Sequence, residues 1–376
     1  MGLHKYRLGE LIEQVFRQNT KLDYGVDDVR GVSNTKGMIA TKADMSSRSL
    51  APFYIIEPGE FVFNRRTTRN GERLGMAFND TDRAYIFTND YVAFRVRESA
   101  RGILSAEYLY MFFCRDEFDR YVRVHSWGSA TEFFNWDDMC AVEIELPPLD
   151  VQQKYVAVYR AIFANQQSYE RGREDLKTVI DATLDSIKKE EHVASLRTYL
   201  TDIDRRNSSG RLKKIYGVNL KKTFMPSVAK VAEKSLLSYK VVQHGELACN
   251  PMHTGRDGGL PVALNFSDED VLVSPAYFVF RVDDSILSEY VLMWLSREQV
   301  DRKIAFFSDG TVRGGIAEDT LLNLGIAVPS QEKQRALANL YSVYRKRQQL
   351  AERLKSQLAH LCPILIRGAM DEAARA

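Results

Sequence analysis

Two segments of the 376-residue chain carry side chains suited to reading a polyanion: NRRTTRNGERLG from Asn64 to Gly75, and NPMHTGRDGGLP from Asn250 to Pro261. Arginine forks onto guanine, asparagine onto adenine, and glycine lets a backbone approach a phosphate. The candidates for that chemistry are Asn64, Arg65, Arg66, Arg69, Asn70 and Arg73 in the first segment, and Asn250, His253, Thr254, Arg256 and Asp257 in the second. A later pair of loops, Ser126-Trp127-Gly128-Ser129-Ala130-Thr131 and Ser308-Asp309-Gly310-Thr311-Val312-Arg313, adds Ser129, Thr131, Thr311 and Arg313 as phosphate partners. Trp127 has two readings, a wedge against a base or sugar, or a ring packed beneath its own loop. Lys36, with Lys221 and Lys222 from the basic run 211–224, completes the set. One loop of this composition describes many ordinary surfaces; its recurrence at the same place in two halves of the chain gives it weight.

Other chemistry finds little support. His244, Cys249 and His253 lie close together, but Pro58, Phe63 and Thr67 stand at the matching positions of the first half and a fourth ligand is lacking, so no zinc site is expected. The chain has no GxxxxGK[ST] phosphate loop, no GxGxxG opening a helix, no HExxH and no GxSxG. Acidic pairs such as Asp137-Asp138 read as helix caps and solvated turns. No catalytic residue, metal or cofactor is therefore assigned to this chain. Hydrophobic residues make up 45% and charged ones 27%, the balance of a soluble globular protein. The N-terminus does not read as a secretory signal and no membrane span is expected, so the chain is read as cytoplasmic. Four dispersed cysteines without a CxxC pair are expected to be reduced and buried. A net charge of +2 is small for a protein that neutralises phosphates alone.

The elements that must hold these loops come in duplicate. Gly31-Val32 matches Gly217-Val218, and Gly59-Glu60, Asn64, Tyr91 and Phe94-Arg95-Val96 match Gly245-Glu246, Asn250, Tyr277 and Phe280-Arg281-Val282 in the same register. After a four-residue deletion the matches resume: Glu107-Tyr108 with Glu289-Tyr290, Met111 with Met293, Asp119-Arg120 with Asp301-Arg302, Ser126 with Ser308, Pro147 with Pro329 and Gln152 with Gln334. Each copy reads as short strands bounded by Gly and Pro turns, a helix (106–124 or 288–307), a glycine loop, a short strand ending in proline and a long polar helix.

The long helices have apolar positions at alternating spacings of three and four. Tyr155, Val158, Ile162, Tyr169, Leu176 and Val179 form one seam, and Leu337, Leu340, Tyr344, Ala351, Leu354, Leu358 and Leu361 the other. The spacing predicts an antiparallel coiled coil, with Asn165, Gly172 and Arg347 available to set register. Lengths of roughly 60 Å for 150–190 and roughly 45 Å for 331–361 follow at about 1.5 Å per residue. The expected fold is α+β, two pseudo-symmetric α/β domains separated by two long helices: domain one over 1–149, spacer helix one over 150–191, domain two over 192–330, and spacer helix two with a tail over 331–376.

The segments SWGSATEFFNWDDMCAVEIELPPLDVQQK (126–154) and SDGTVRGGIAEDTLLNLGIAVPSQEKQR (308–335), with the Gly-Glu turns at Gly59 and Gly245, resemble the specificity subunits of Type I restriction-modification systems over nearly the whole chain. Val151-Gln152 stands where Glu-Gln is usual, and Val328-Pro329-Ser330 replaces the double proline. The resemblance implies a non-catalytic subunit whose two target recognition domains read the two halves of a split double-stranded DNA site. It implies as partners two methyltransferase subunits, where S-adenosylmethionine would bind, and in restricting complexes a motor nuclease subunit. A related Type II-like or methylation-only system is an alternative, and a self-contained DNA-modifying enzyme a more distant one.

Overall fold

The structure, a computed structural model, describes every residue except 1, 42, 46–47, 68–72, 129–131, 230, 253, 309–314 and 376, and residue 359 by its backbone alone. The chain divides into two units. Unit one is Met1–Ser168 with Leu350–Ala376, and unit two is Tyr169–Gln349. Each unit thus takes one α/β module, part of the first long helix and part of the second. Among the described residues, no helix is long and apolar enough to cross a membrane.

Unit one is built on a four-stranded antiparallel sheet in the order Ile12–Gln14, Tyr91–Val96, Phe61–Asn64, Met76–Phe78. The central strand, FVFN, is apolar on both faces because helices cover one side and a second layer of strands the other. Phe61 stacks on Phe94 at 4.9 Å and meets Phe78 at 4.7 Å. Unit two repeats the sheet as Leu200–Asp202, Phe278–Val282, Leu247–Cys249, Val262–Leu264. The remaining strand pairs repeat as well: His4–Arg7 with Glu143–Leu146 corresponds to Val193–Ser195 with Gly325–Ala327, and Tyr54–Ile56 with Tyr85–Phe87 to Lys240–Val242 with Val271–Val273.

The Gly-Glu turn before the central strand has one physical explanation in both units. Gly59 and Gly245 take φ of +84° and +76°, which favours glycine. The buried carboxylate that follows folds back to accept the N–H of the residue three earlier, at 2.8 Å in both (Glu57 to Glu60, Gln243 to Glu246). It also pairs with an arginine, Arg17 at 3.1 Å and Arg205 at 2.7 Å.

The helices depart from the sequence expectation in three ways. The single helices expected over 106–124 and 288–307 are each two, Ala106–Phe113 with Asp116–Val124 and Ser288–Leu295 with Glu298–Phe307. An extended Arg115 or Arg297 breaks them and puts acidic residues in the first turn of the second helix, where the helix dipole favours negative charge. The second long helix does not stop near Leu361 but runs Gln331–Arg375 through Pro363. Losing one N–H there is offset by burial of Leu365, Ile366, Ala369 and Ala373.

The third departure concerns the seam. The first long helix is Leu149–Glu190. Val158 and Val179 are 44% and 52% exposed, whereas Gln152, Val156, Gln166, Ile180, Leu184 and Ile187 are buried. The buried stripe keeps the three-four spacing but lies mostly one residue further along, because the helix covers its own module as well as meeting the other helix. Tyr155, Ile162, Tyr169 and Leu176 flank that stripe half-buried; in the second helix Leu337 is buried and Leu340, Tyr344, Leu354, Leu358 and Leu361 are half-buried. The helices pair antiparallel within each unit. In unit one Lys154 reaches Glu372 at 2.7 Å and the Tyr155 ring lies against Gly368. In unit two Lys333 lies 3.8 Å from Glu190 and the Arg347 guanidinium fills the space left by Gly172.

Candidate nucleic-acid interface

The two arginine-bearing candidate loops rest on an inward-facing lysine–aspartate ion pair made twice. In unit one Lys36, at φ +62° in a tight turn, sends its ammonium inward to Asp119 and to the Leu74 carbonyl at 2.9 Å. Asp119 also accepts the Leu74 N–H at 3.0 Å. In unit two Lys222, at φ +61°, reaches Asp301 and the Leu260 carbonyl, both at 2.6 Å, and Asp301 accepts the Leu260 N–H at 2.9 Å. Each knot ties the far end of a candidate loop to the second helix of its module. Lys36 and Lys222 are 4% and 6% exposed, so the sequence expectation of two surface cations is corrected: their charge is spent inside the fold. Burial pushes the Lys36 ammonium below its ordinary range, against the pull of Asp119.

The near end of each loop is held by an asparagine. The Asn64 side-chain oxygen accepts the Arg66 N–H at 3.0 Å, and the Asn250 oxygen accepts the Met252 N–H at 3.1 Å. Both candidates thus shape the turn.

Beyond the asparagines, each arginine-bearing loop is zipped to the glycine loop of the same unit. In unit one the Phe134 N–H donates to the Arg65 carbonyl at 2.9 Å and Thr67 N–H to Glu132 at 3.0 Å, with bridges from Phe133 to both Arg66 and Trp127. In unit two the Ile316 N–H donates to the Pro251 carbonyl at 3.1 Å, Met252 bridges Gly315, and the Thr254 and Ser308 hydroxyls meet at 2.6 Å. Segments some sixty residues apart therefore form one composite surface in each unit. Nothing in the sequence signalled this pairing except that both loops recurred together.

On the unit-one surface Arg65 is exposed, its guanidinium 5.5 Å from the Phe133 ring centroid. Arg66 is half-buried and 3.9 Å from Asp90, and exposed Arg73 pairs with Asp116 at 3.0 Å. Trp127 is 70% exposed, which decides between its two readings in favour of a ring presented to solvent. On the unit-two surface Arg256 and Asp257 are exposed and paired at 2.8 Å, Thr254 is buried, and Lys221 is exposed. Exposed pairs of this kind are worth at most about 1 kcal/mol, so an arginine can exchange its carboxylate for a phosphate or base edge at little cost. Arg69, Asn70, Ser129, Thr131, His253, Thr311 and Arg313 lie outside the described residues.

All four cysteines are free thiols. Cys249 and Cys362 are buried and Cys114 and Cys140 half-buried. Burial pushes the Cys249 thiol up to about 12, which removes it from thiolate chemistry at neutral pH, and His244 is exposed 3.8 Å from Asp268.

No protein-family model matches the chain, and no curated protein matches it. Solved structures do. The S subunit of the Type I restriction-modification system from M. genitalium is 10% identical, with a TM-score of 0.60 over 98% of this chain and 96% of that one. The HsdS subunit from Thermoanaerobacter tengcongensis is 17% identical over 100% and 97%, with a TM-score of 0.34. A chain from a type I R-M system, solved for its complex assembly and conformational transition, is 14% identical over 99% and 97%, with a TM-score of 0.43. On the first of these likenesses, this chain has the fold of a Type I S subunit from end to end.

Proposed function

We propose that the chain is a DNA sequence-recognition subunit of a Type I restriction-modification system, without catalysis of its own. It reads a split target, one half-site with each unit, and directs partner subunits to it. The observation that carries this reading is a contrast between the units: a matching frame of lysine, asparagine and aspartate, with both lysines buried, holds two loops whose exposed side chains differ between units. Frame identity with surface divergence is what two readers of different sequences require. The long helices that continue from one unit into the other are read as the ruler that fixes the number of unread bases. The chemistry belongs to partners: two methyltransferase subunits that bind S-adenosylmethionine and flip the target base, and a motor nuclease subunit where restriction occurs, all in the cytoplasm. With few net charges on this chain, those partners complete the neutralisation of the DNA backbone.

The experiment is to co-express the chain with the methyltransferase encoded beside it and map every methylated base in the host DNA. A single split motif that disappears when the chain is omitted is the expected result. Methylation at an unsplit site, or methylation that persists without the chain, contradicts the proposal.

A further inference from the structure

One flank of unit two carries large apolar side chains in solvent. The helix Glu298–Phe307 ends in two rings, Phe306 and Phe307, which are 81% and 53% exposed and set edge to face at 5.3 Å. Side chains of a helix lean toward its N-terminus, so these rings lie back over the turn that carries Arg302 and Lys303 rather than over the loop that begins at Ser308. Facing them, the turn into the strand Gly325–Ala327 supplies Asn323, Leu324 and Gly325, and the two sides border a hollow of about 430 Å³. Lys303, Leu324 and Gly325 also border a smaller recess of about 40 Å³, floored by Trp294 and Val300 and reached by Lys188 near the end of the first long helix. The hollow and the recess join through these three shared residues into one groove.

The groove has charge of one sign. Four cations line it, Lys188, Arg297, Arg302 and Lys303, and among the described residues no carboxylate does. Arg297 is buried and paired with Asp185, and exposed Arg302 lies 3.7 Å from Glu298. Lys188 and Lys303 are exposed and make no ion pair with any described residue. The matching flank of unit one is closed on itself. Tyr121 stands at the match of Lys303 and stacks at 3.9 Å on His125, the match of Phe307. Glu143 stands at the match of Gly325 and pairs with Lys5 at 2.6 Å. Unit two lacks these local partners.

Exposed rings beside unpaired cations mark a surface that a partner covers. A second copy of the chain across a two-fold axis would set the cations against one another. A hollow of this size takes one or two side chains and not a duplex, and its floor of Leu324, Trp294 and Val300 offers nothing to a phosphate backbone. We propose that the groove docks a protein segment in which a large apolar side chain is flanked by carboxylates, and that the segment belongs to a methyltransferase subunit. The apolar group sits against Phe306 and Phe307, and the carboxylates meet Lys303 and Lys188. Naming the subunit rests on the functional reading above. Because unit one lacks the groove, one methyltransferase copy is gripped here and the other is not.

The test is to co-express the chain with the methyltransferase encoded beside it and to weigh the assembly by native mass spectrometry over a dilution series. Phe306→Ser and Lys303→Glu change exposed side chains, so the thermal melt of the chain is expected to stay unchanged; Val124→Ser, at the match of Phe306, is the control. Wild type and Val124→Ser are expected to keep two methyltransferases at dilutions where Phe306→Ser or Lys303→Glu keeps one, a loss of about tenfold or more in affinity for one copy, with Lys303→Arg close to wild type. Variants that keep both copies as wild type does, or a control that loses a copy as readily, overturn the proposal. Weaker duplex binding by Phe306→Ser alone, with both methyltransferases retained, assigns the groove to DNA and overturns it too. A wild-type chain that binds no methyltransferase contradicts the functional reading, and this proposal with it. Should one variant lower the melt, the other decides.

Discussion

Unit one and unit two share the polar residues of their buried frames and differ in the residues that meet solvent. Lys36 and Lys222 take the same strained turn, reach the equivalent aspartate and hold the equivalent leucine carbonyl. Gln152 and Gln334 at the start of the long helices donate to the carbonyls of Pro147 and Pro329 at 2.8 Å and accept a backbone N–H at 3.0 and 2.9 Å. Around these points the cores differ in kind. Phe61, Phe63, Phe78 and Phe113 fill unit one where Leu247, Cys249, Leu264 and Leu295 fill unit two. The lesson is that polar groups buried in a duplicated frame are harder to change than apolar ones: a packed ring can be exchanged for an aliphatic chain with neighbouring adjustments, but a buried lysine without its aspartate has no substitute partner.

The largest expected effect tests that lesson. Asp119→Ala and Asp301→Ala each leave a lysine ammonium buried without its carboxylate, and each is expected to cost about 3–5 kcal/mol by denaturant unfolding. A silent Asp301→Ala would break the equivalence of the two frames. Next comes the zipper between loops. A Cβ added at Gly315 would overlap the Pro251 carbonyl oxygen, so Gly315→Phe, the residue unit one has at this position, is expected to cost on the order of 1–3 kcal/mol or more. An unchanged unfolding midpoint would show that the two loops of a unit vary independently.

Recognition should divide between the units. Arg66→Ala is expected to weaken one half-site and Arg256→Ala the other, each by roughly 1–3 kcal/mol in competition binding with the partner methyltransferase present. Equal weakening of both halves by either variant would remove the basis for two separate readers. The smallest effect concerns a pair of matching tyrosines. Tyr290 donates to the Ala327 carbonyl at 2.7 Å, whereas the equally buried Tyr108 hydroxyl finds no hydrogen-bond partner among the described residues. Tyr290→Phe should therefore cost about 1 kcal/mol and Tyr108→Phe close to nothing, compared by thermal melting.

The duplication, the two-module architecture and the antiparallel helices were legible in the sequence because glycine turns, paired prolines and three-four spacings are local signals. The loops were legible as a class through Arg65, Arg66 and Arg256. What misled was the assumption that any lysine near them faces the ligand, since Lys36 and Lys222 are buried. Lys36 matches Lys222 and Asn64 matches Asn250, and that identity was itself the sign of a frame residue, since readers of two different half-sites should diverge. The helix seam was displaced for a related reason: periodicity fixes how often a helix buries a residue, but which face it buries depends on a module remote in sequence. The break at Arg115 and Arg297 and the continuation through Pro363 likewise depend on tertiary packing, which overrides local preference.

The most direct test of separate readers on one frame is to transplant both loops of unit one, 64–75 and 126–134, into unit two in place of 250–261 and 308–316, which have the same lengths, and to map methylation in vivo with the partner methyltransferase. Moving both together preserves the zipper that Gly315 and Pro251 require. The expected result is a split motif in which the half-site of unit two has been replaced by a second copy of the half-site of unit one. A half-site of unit two that survives the exchange would mean that recognition lies elsewhere in the module and would contradict the account.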